Sequence, residues 1–194
     1  KTLSRTRRIP HTMSQRVLTV LTDGFEEIEA VAPIDIMRRA GLEVTVASPD
    51  EGLCPTGKTG LAVRAETALE AALGSGYDAL VLPGGPGAQT LRQNAHVINA
   101  VQDFYGKGKL VAAICAAPTI LLEAGVLTGH SYTAHFSVRE ELPAMLEEQP
   151  VVADENIITS RGAGTAVAFG LAIVAHLLGS DRAGEVAQAI CVPG

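Results

Sequence analysis

The chain has 194 residues, 47% of them hydrophobic and 19% charged, enough for one three-layer α/β domain or two small ones. It has no Trp and only four Phe and three Tyr, too few for a base-stacking nucleic-acid platform. Its formal charge of −6 becomes −10 once the acid-free residues 1–12 are set aside, so neither nucleic acid nor an anionic membrane finds an electrostatic footprint.

Residues 1–15 (KTLSRTRRIPHTMSQ) show no hydrophobic period. They are either the remnant of an Arg- and Ser-rich organellar transit segment or cloning-derived or upstream residues before a start at Met13. Residues 16–194 are read as one domain. Residues 16–22 (RVLTVLT) predict a strand, Asp23-Gly24 a turn, and 26–40 a helix stopped by Gly41. A second strand follows at 42–48, then a Gly- and Pro-rich loop or small hairpin over 49–66. Residues 67–73 predict a short helix with Thr67 as N-cap and Glu70 at the capping-box position. The strand 77–82 (YDALVL) runs into Pro83-Gly84-Gly85-Pro86-Gly87, and a helix is expected at 94–105. In KLVAAICAAPT (109–119) a strand at 110–114 meets a helix at 116–123, with Cys115 at the joint and Pro118 in the first helical turn. Beyond it come a short strand at 131–134, a polar helix at 139–148, and a hairpin-like pair at 151–153 and 156–160. A tight turn at 161–164 and helices at 165–178 and 181–190 complete the chain. Strands alternating with helices of this length predict a mostly parallel sheet with helices on both faces.

In such a sheet ligands bind beyond the carboxyl ends of the strands. Glu26-Glu27-Ile28-Glu29, Pro83-Gly84-Gly85, Cys115 and Ser160-Arg161-Gly162 all follow strands, which predicts one shared crevice. A sulfur near a helix N-terminus is expected to favour thiolate, whereas a lone cysteine in an apolar run is also an ordinary core residue. Gly84, Gly85 and the backbone after Cys115 offer N–H donors for a developing oxyanion. Glu26 and Glu27 are expected to cap the first helix. Glu29, beside Ile28, Val31 and Ala32, is expected to be partly protonated and to donate to sulfur. Of the five histidines, His135 is the candidate acid–base partner; His96 and His176 are read as surface or packing residues, and His130 lies in a turn. Cys54, Cys115 and Cys191 are too far apart in sequence for a zinc motif, and three free thiols fit a reducing compartment. No metal or cofactor is expected. There is neither a GxGxxG nor a P-loop lysine.

The stretches DGFEEIEAVAPIDIMRRAG (23–41), YDALVLPGGPGAQ (77–89), VAAICAAPTILLEAG (111–125) and SRGAGTAVAFGLAIV (160–174) together resemble the DJ-1/ThiJ/PfpI superfamily, most of all its DJ-1 (parkinsonism-associated deglycase) branch. The resemblance implies a flavodoxin-like three-layer sandwich with a nucleophile elbow, and a homodimer. It assigns the oxidation-prone nucleophile to Cys115, the protonated thiol partner to Glu29 and the nearby histidine to His135. Oxyanion donors fall on Gly84, Gly85 and Ala116, and Arg39 matches an arginine facing the dimer-related site. Ala116, standing where peptidase relatives carry His, argues against a peptidase. Ala163 and the region around Lys58 depart from the branch. The implied function is a cofactor-free, cysteine-dependent glyoxalase III or deglycase acting on methylglyoxal or early glycation adducts. The alternative is an oxidative-stress sensor or chaperone-like protein working through Cys115 oxidation. A cytoplasmic location is expected, or an organelle if residues 1–12 are a transit remnant.

Overall fold

A computed structural model describes residues 14–49 and 52–193. Most of the predicted head therefore lies outside the described residues. Its last two, Ser14 and Gln15, are tied to the sheet: Ser14 Oγ donates to Gly41 O (3.0 Å) and Gln15 O accepts from Glu43 N (3.0 Å).

The strands are β1 (Arg16–Val20), β2 (Glu43–Ser48), β3 (Thr67–Ala68), β4 (Ala79–Leu82), β5 (Leu110–Ile114), β6 (Val151–Asp154) and β7 (Ile157–Ser160). The helices are α1 (Glu27–Arg39), α2 (Leu69–Ala72), α3 (Gly87–Gln93), α4 (Ala95–Gly106), α5 (Pro118–Glu123), α6 (Ala166–Leu178) and α7 (Ser180–Ala189). One sheet runs in the order β3-β2-β1-β4-β5-β7-β6, parallel except for β6 at the edge. Strand side chains alternate between two cores. Leu80 and Leu82 point into a core with Leu91, Val101, Phe104 and Ile120 from α3–α5, while Ala79 and Val81 face Met37, Phe169 and Ile173 from α1 and α6. β4 and β5 lie between helices on both faces, so they read as uninterrupted apolar runs. The result is a flavodoxin-like α/β/α sandwich.

Three local expectations are corrected. Thr67 does not cap a helix. It pairs with Ala47 on the sheet edge, its hydroxyl donates to Ala68 O, and α2 starts only at Leu69 with no side-chain cap. Residues 131–134 form no strand, because side chains take the ladder's place: Asp154 Oδ2 accepts from Ser131 N (2.7 Å) and Thr159 Oγ1 from Thr133 N (2.9 Å). Residues 139–148 are a run of turns after a 3-10 turn at Phe136–Val138, folded around the buried side chains of Leu142 and Met145. The helix α3 (Gly87–Gln93) forms directly behind Gly85 and Pro86, ahead of the helix expected at 94–105.

Candidate active site

The strands β1, β4, β5 and β7 are sheet neighbours, so their carboxyl ends meet, and the chain order reverses across β1. Cys115 leaves β5 with φ +67, an uncommon conformation for a side-chain-bearing residue, and its N–H donates to Ser160 O at the end of β7 (2.9 Å). Ala116 and Ala117 complete the turn before Pro118 opens α5. α5 is therefore shorter than the expected helix and begins farther from the sulfur.

Glu29 reaches the same point from α1 and is 1% exposed. Its burial does not come from the sequence neighbours expected to shield it. Ile28 (54%) and Val31 (41%) face outward. The β4–α3 turn and Cys115 enclose it instead: Gly84 N donates to Glu29 Oε2 at 3.0 Å, and the carboxyl is hydrogen-bonded to the Cys115 thiol. A Cβ on Gly84 would lie 2.6 Å from both Glu29 Oε2 and Cys115 Cβ, so only glycine allows the pair to approach. Gly85, at φ +88, lets the chain pass within contact of Gly24 and Glu26.

Burial pushes the Glu29 carboxyl up to about 7, helped by the neighbouring Glu26 charge and opposed by the hydrogen bonds from Cys115 and Gly84. Burial, and then the Glu29 charge, push the Cys115 thiol up to about 12, against the N–H groups of Gly85 and Ala116 that point at the sulfur. The helix dipole expected to create a thiolate is outweighed. Desolvation and a carboxylate in contact cost the anion more than the end of a six-residue helix returns. The two groups titrate as a unit and share one proton between about pH 7 and 12.

Glu26 caps α1 through its Oε2, which accepts from Glu29 N (2.8 Å). Glu27 does not cap. Its Oε1 accepts from Thr59 N (2.6 Å) and Thr59 Oγ1 (2.5 Å), which lowers its pKa. His135 is tethered by its main chain, whose N–H donates to Cys115 O (2.9 Å). Its Nδ1 accepts from Ser137 N (3.3 Å) and lies 2.9 Å from Ser137 Oγ, which leaves the ring proton on Nε2. Desolvation, then the charges of Lys58 and Arg161, lower its pKa and keep the ring neutral at pH 7.

Cys115, Glu29, His135, Gly85 and Ala116 line one cavity of about 430 Å3, with Gly84 directly behind. Arg39 does not line it. It sits at the end of α1, bonded to Asp35 (2.6 Å). His130 lies at the opposite end of the sheet, 2.9 Å from Tyr105 OH. Sequence reasoning did not place Lys58, Thr119 and Glu141 on the cavity wall: Lys58 and Glu141 follow no strand end, and Thr119 was read only as part of the helix behind Cys115. Among the described residues no group of three or more His, Cys, Asp or Glu could hold a metal ion, and no helix is long and apolar enough to cross a membrane.

The chain is 36% identical over 184 residues to protein dj-1beta of Drosophila melanogaster, covering 93% of this chain and 98% of the relative. It is 39% identical over 188 residues to the Parkinson disease protein 7 homolog of Danio rerio, covering 89% and 94%. The crystal structure of the Drosophila melanogaster protein superposes with a TM-score of 0.90 over 94% of this chain and 100% of that one. The oxidized form of Toxoplasma gondii DJ-1, 31% identical, superposes with a TM-score of 0.87 over 92% and 98%. The DJ-1/PfpI family profile matches residues 15–176, and with the sheet order and strand-end crevice described above this chain belongs to the DJ-1/PfpI family.

Proposed function

We propose that the protein is a cofactor-free glyoxalase III or deglycase-type enzyme in which Cys115 is the nucleophile. The observation that carries this reading is the buried Glu29 carboxyl, held by Gly84 N at 3.0 Å and hydrogen-bonded to the Cys115 thiol, with both side chains lining one cavity. Moving the shared proton from sulfur to Glu29 makes a thiolate and a carboxylic acid in one step, with no change in net charge. The thiolate attacks the aldehyde carbon of methylglyoxal and forms a C–S bond, and the carbonyl oxygen takes the proton from Glu29. The Gly85 and Ala116 N–H groups point at the sulfur and support the thiolate before it attacks. Glu29, again a carboxylate, removes the proton from the former aldehyde carbon and returns it to the former ketone carbon, while the hydroxyl proton on the former aldehyde carbon passes to the former ketone oxygen, converting the hemithioacetal into a thioester of lactate. A pKa near 7 suits a group that must both accept and give a proton at neutral pH. Water then cleaves the thioester and regenerates the thiol. His135, neutral and with its proton on Nε2, stands at the cavity wall as the assisting group. Lactate should form from methylglyoxal without glutathione in the unaltered chain and not in Cys115→Ala; equal rates would overturn the reading.

A second reading has Cys115 oxidised to sulfinate as the functional event. The same proton-bearing carboxyl would stabilise a sulfinate oxygen, and the oxidized Toxoplasma gondii relative shares this fold. Peroxide followed by peptide mapping should place two oxygens on Cys115, and Glu29→Ala should abolish that species. Oxygen on Cys54 or Cys191 instead removes the basis for it. A homodimer is proposed as well, on the outward-facing apolar side chains of α1.

A further inference from the structure

Three carboxyls line the cavity, and Lys58 is the one Lys or Arg among the described residues that do so. Each carboxyl is committed elsewhere: Glu26 to the Glu29 N–H, Glu29 to Cys115 and Gly84, and Glu141 to Arg92 Nη1 at 2.5 Å. Lys58 is less so. Its Nζ lies 3.9 Å from Glu26 Oε1, beyond hydrogen-bond range, and its side chain is 45% exposed. Its main chain, in contrast, is held firmly. Lys58 N donates to Phe25 O and Gly57 N to Leu61 O, both at 2.9 Å, and Thr59 is anchored on Glu27. A Cβ on Gly57 would lie 2.4 Å from Glu27 Oε1, so the loop reaches the start of α1 only because residue 57 is glycine. A hydrogen-bonded loop thus presents a cation with unspent donors on the wall of a thiol cavity.

We propose that Lys58 is a specificity-determining residue that selects aldehydes bearing a carboxylate next to the carbonyl, with glyoxylate the simplest member of the class. The inference rests on Cys115 adding to aldehydes as proposed above. The ammonium holds the carboxylate while the sulfur forms a bond to the aldehyde carbon. The carbonyl oxygen takes the proton from Glu29, and no oxidation level changes. The adduct stops there, since the carbon beside it is already a carboxylate and has no ketone to receive the shuttled proton. Glyoxylate is therefore a reversible occupant and not a substrate. The cavity carries more acidic than basic groups, so preference for an anion has to come from direct contact with the ammonium.

The test is protection of Cys115 from iodoacetamide in the full chain, read by peptide mapping so that Cys54 and Cys191 are scored apart. Glyoxylate is compared with glycolaldehyde, in which a neutral hydroxymethyl replaces the carboxylate. Glyoxylate should half-protect at a tenfold lower concentration in the unaltered chain. The preference should fall to near one in Lys58→Met and persist in Lys58→Arg. Arg161→Met removes a charge on the other side of His135, in a separate cavity, and should keep the preference. A preference that survives Lys58→Met, or that is lost equally in Arg161→Met, overturns the inference while leaving aldehyde addition intact. Absence of protection by either aldehyde overturns both.

Discussion

At the level of single residues, the chemistry turns on which atom holds one proton. The reactive arrangement, thiolate with protonated Glu29, carries the same number of protons as thiol with carboxylate. Its share of the population is therefore constant between about pH 7 and 12 and falls tenfold per unit below about 7, where the pair takes up a second proton. Iodoacetamide alkylation of Cys115 should rise with pH to about 7 and then level off. In Glu29→Gln the carboxylate charge that raises the thiol is gone, so the plateau should disappear and the rate should keep rising above pH 7, by up to about tenfold per unit, where the unaltered chain has levelled off. The same carboxyl affects folding. Its folded pKa of about 7 lies above the ordinary 4.5, so the folded chain binds more protons than the unfolded one between these values. Stability should therefore decline as pH rises from 4.5 to 7, by on the order of 3 kcal/mol for a shift of this size. Urea midpoints should show Glu29→Gln gaining on the unaltered chain across that window, with the full gain above pH 7.

Between elements, the decisive contacts are glycines at which two segments meet. Gly84 sits where the end of β4 touches Cys115 and Glu29. Gly84→Ala should push the pair apart and lose most Cys115 reactivity toward iodoacetamide, with the far-ultraviolet circular dichroism unchanged. Gly170 plays the corresponding part away from the site. Its Cα lies where α6 crosses α1, and a Cβ there would be 3.1 Å from Pro33 Cα and from Ile36 Cδ1. Gly170→Val overfills that crossing and should cost about 2 kcal/mol in urea unfolding. Because α1 carries Glu29, this variant should also broaden the pH profile of Cys115 alkylation. The Pro-Gly-Gly run marks Gly84 in the sequence, but not that it must admit Glu29 and Cys115, and nothing in the sequence marks Gly170. Each one's importance comes from a partner far away along the chain.

Across the whole molecule, the sheet order accounts for how the site is assembled. β1, β4, β5 and β7 are contiguous, so four loops from distant parts of the sequence share one edge. On the outer layer, α1 leaves Ile28 and Val31 exposed within two residues of the buried Glu29. Apolar side chains placed this way fit a second copy of the chain. Sedimentation should give a dimer mass for the unaltered chain and a monomer for Ile28→Glu, while a monomer in both would remove that proposal.

The amino-acid order alone determined the alternation of strands and helices, the strand-to-helix turn at Cys115, and which four stretches follow strand ends. These are local matters of hydrophobic period, glycine and proline placement, and chain connectivity. Where side chains replaced backbone pairing, as at residues 131–134, or where a buried leucine shaped a run of turns, as at 139–148, local pattern misled. The tertiary structure alone decided that Glu29 is enclosed by the Gly84 turn and not by Ile28 and Val31. It also decided that the thiol is pushed up and not down, and that Lys58 lines the cavity. Desolvation and contact distance depend on which remote segments pack together, and no spacing along the chain encodes them. KLVAAICAAPT marked the joint at which Cys115 sits, and the surrounding fold decided how its proton is held.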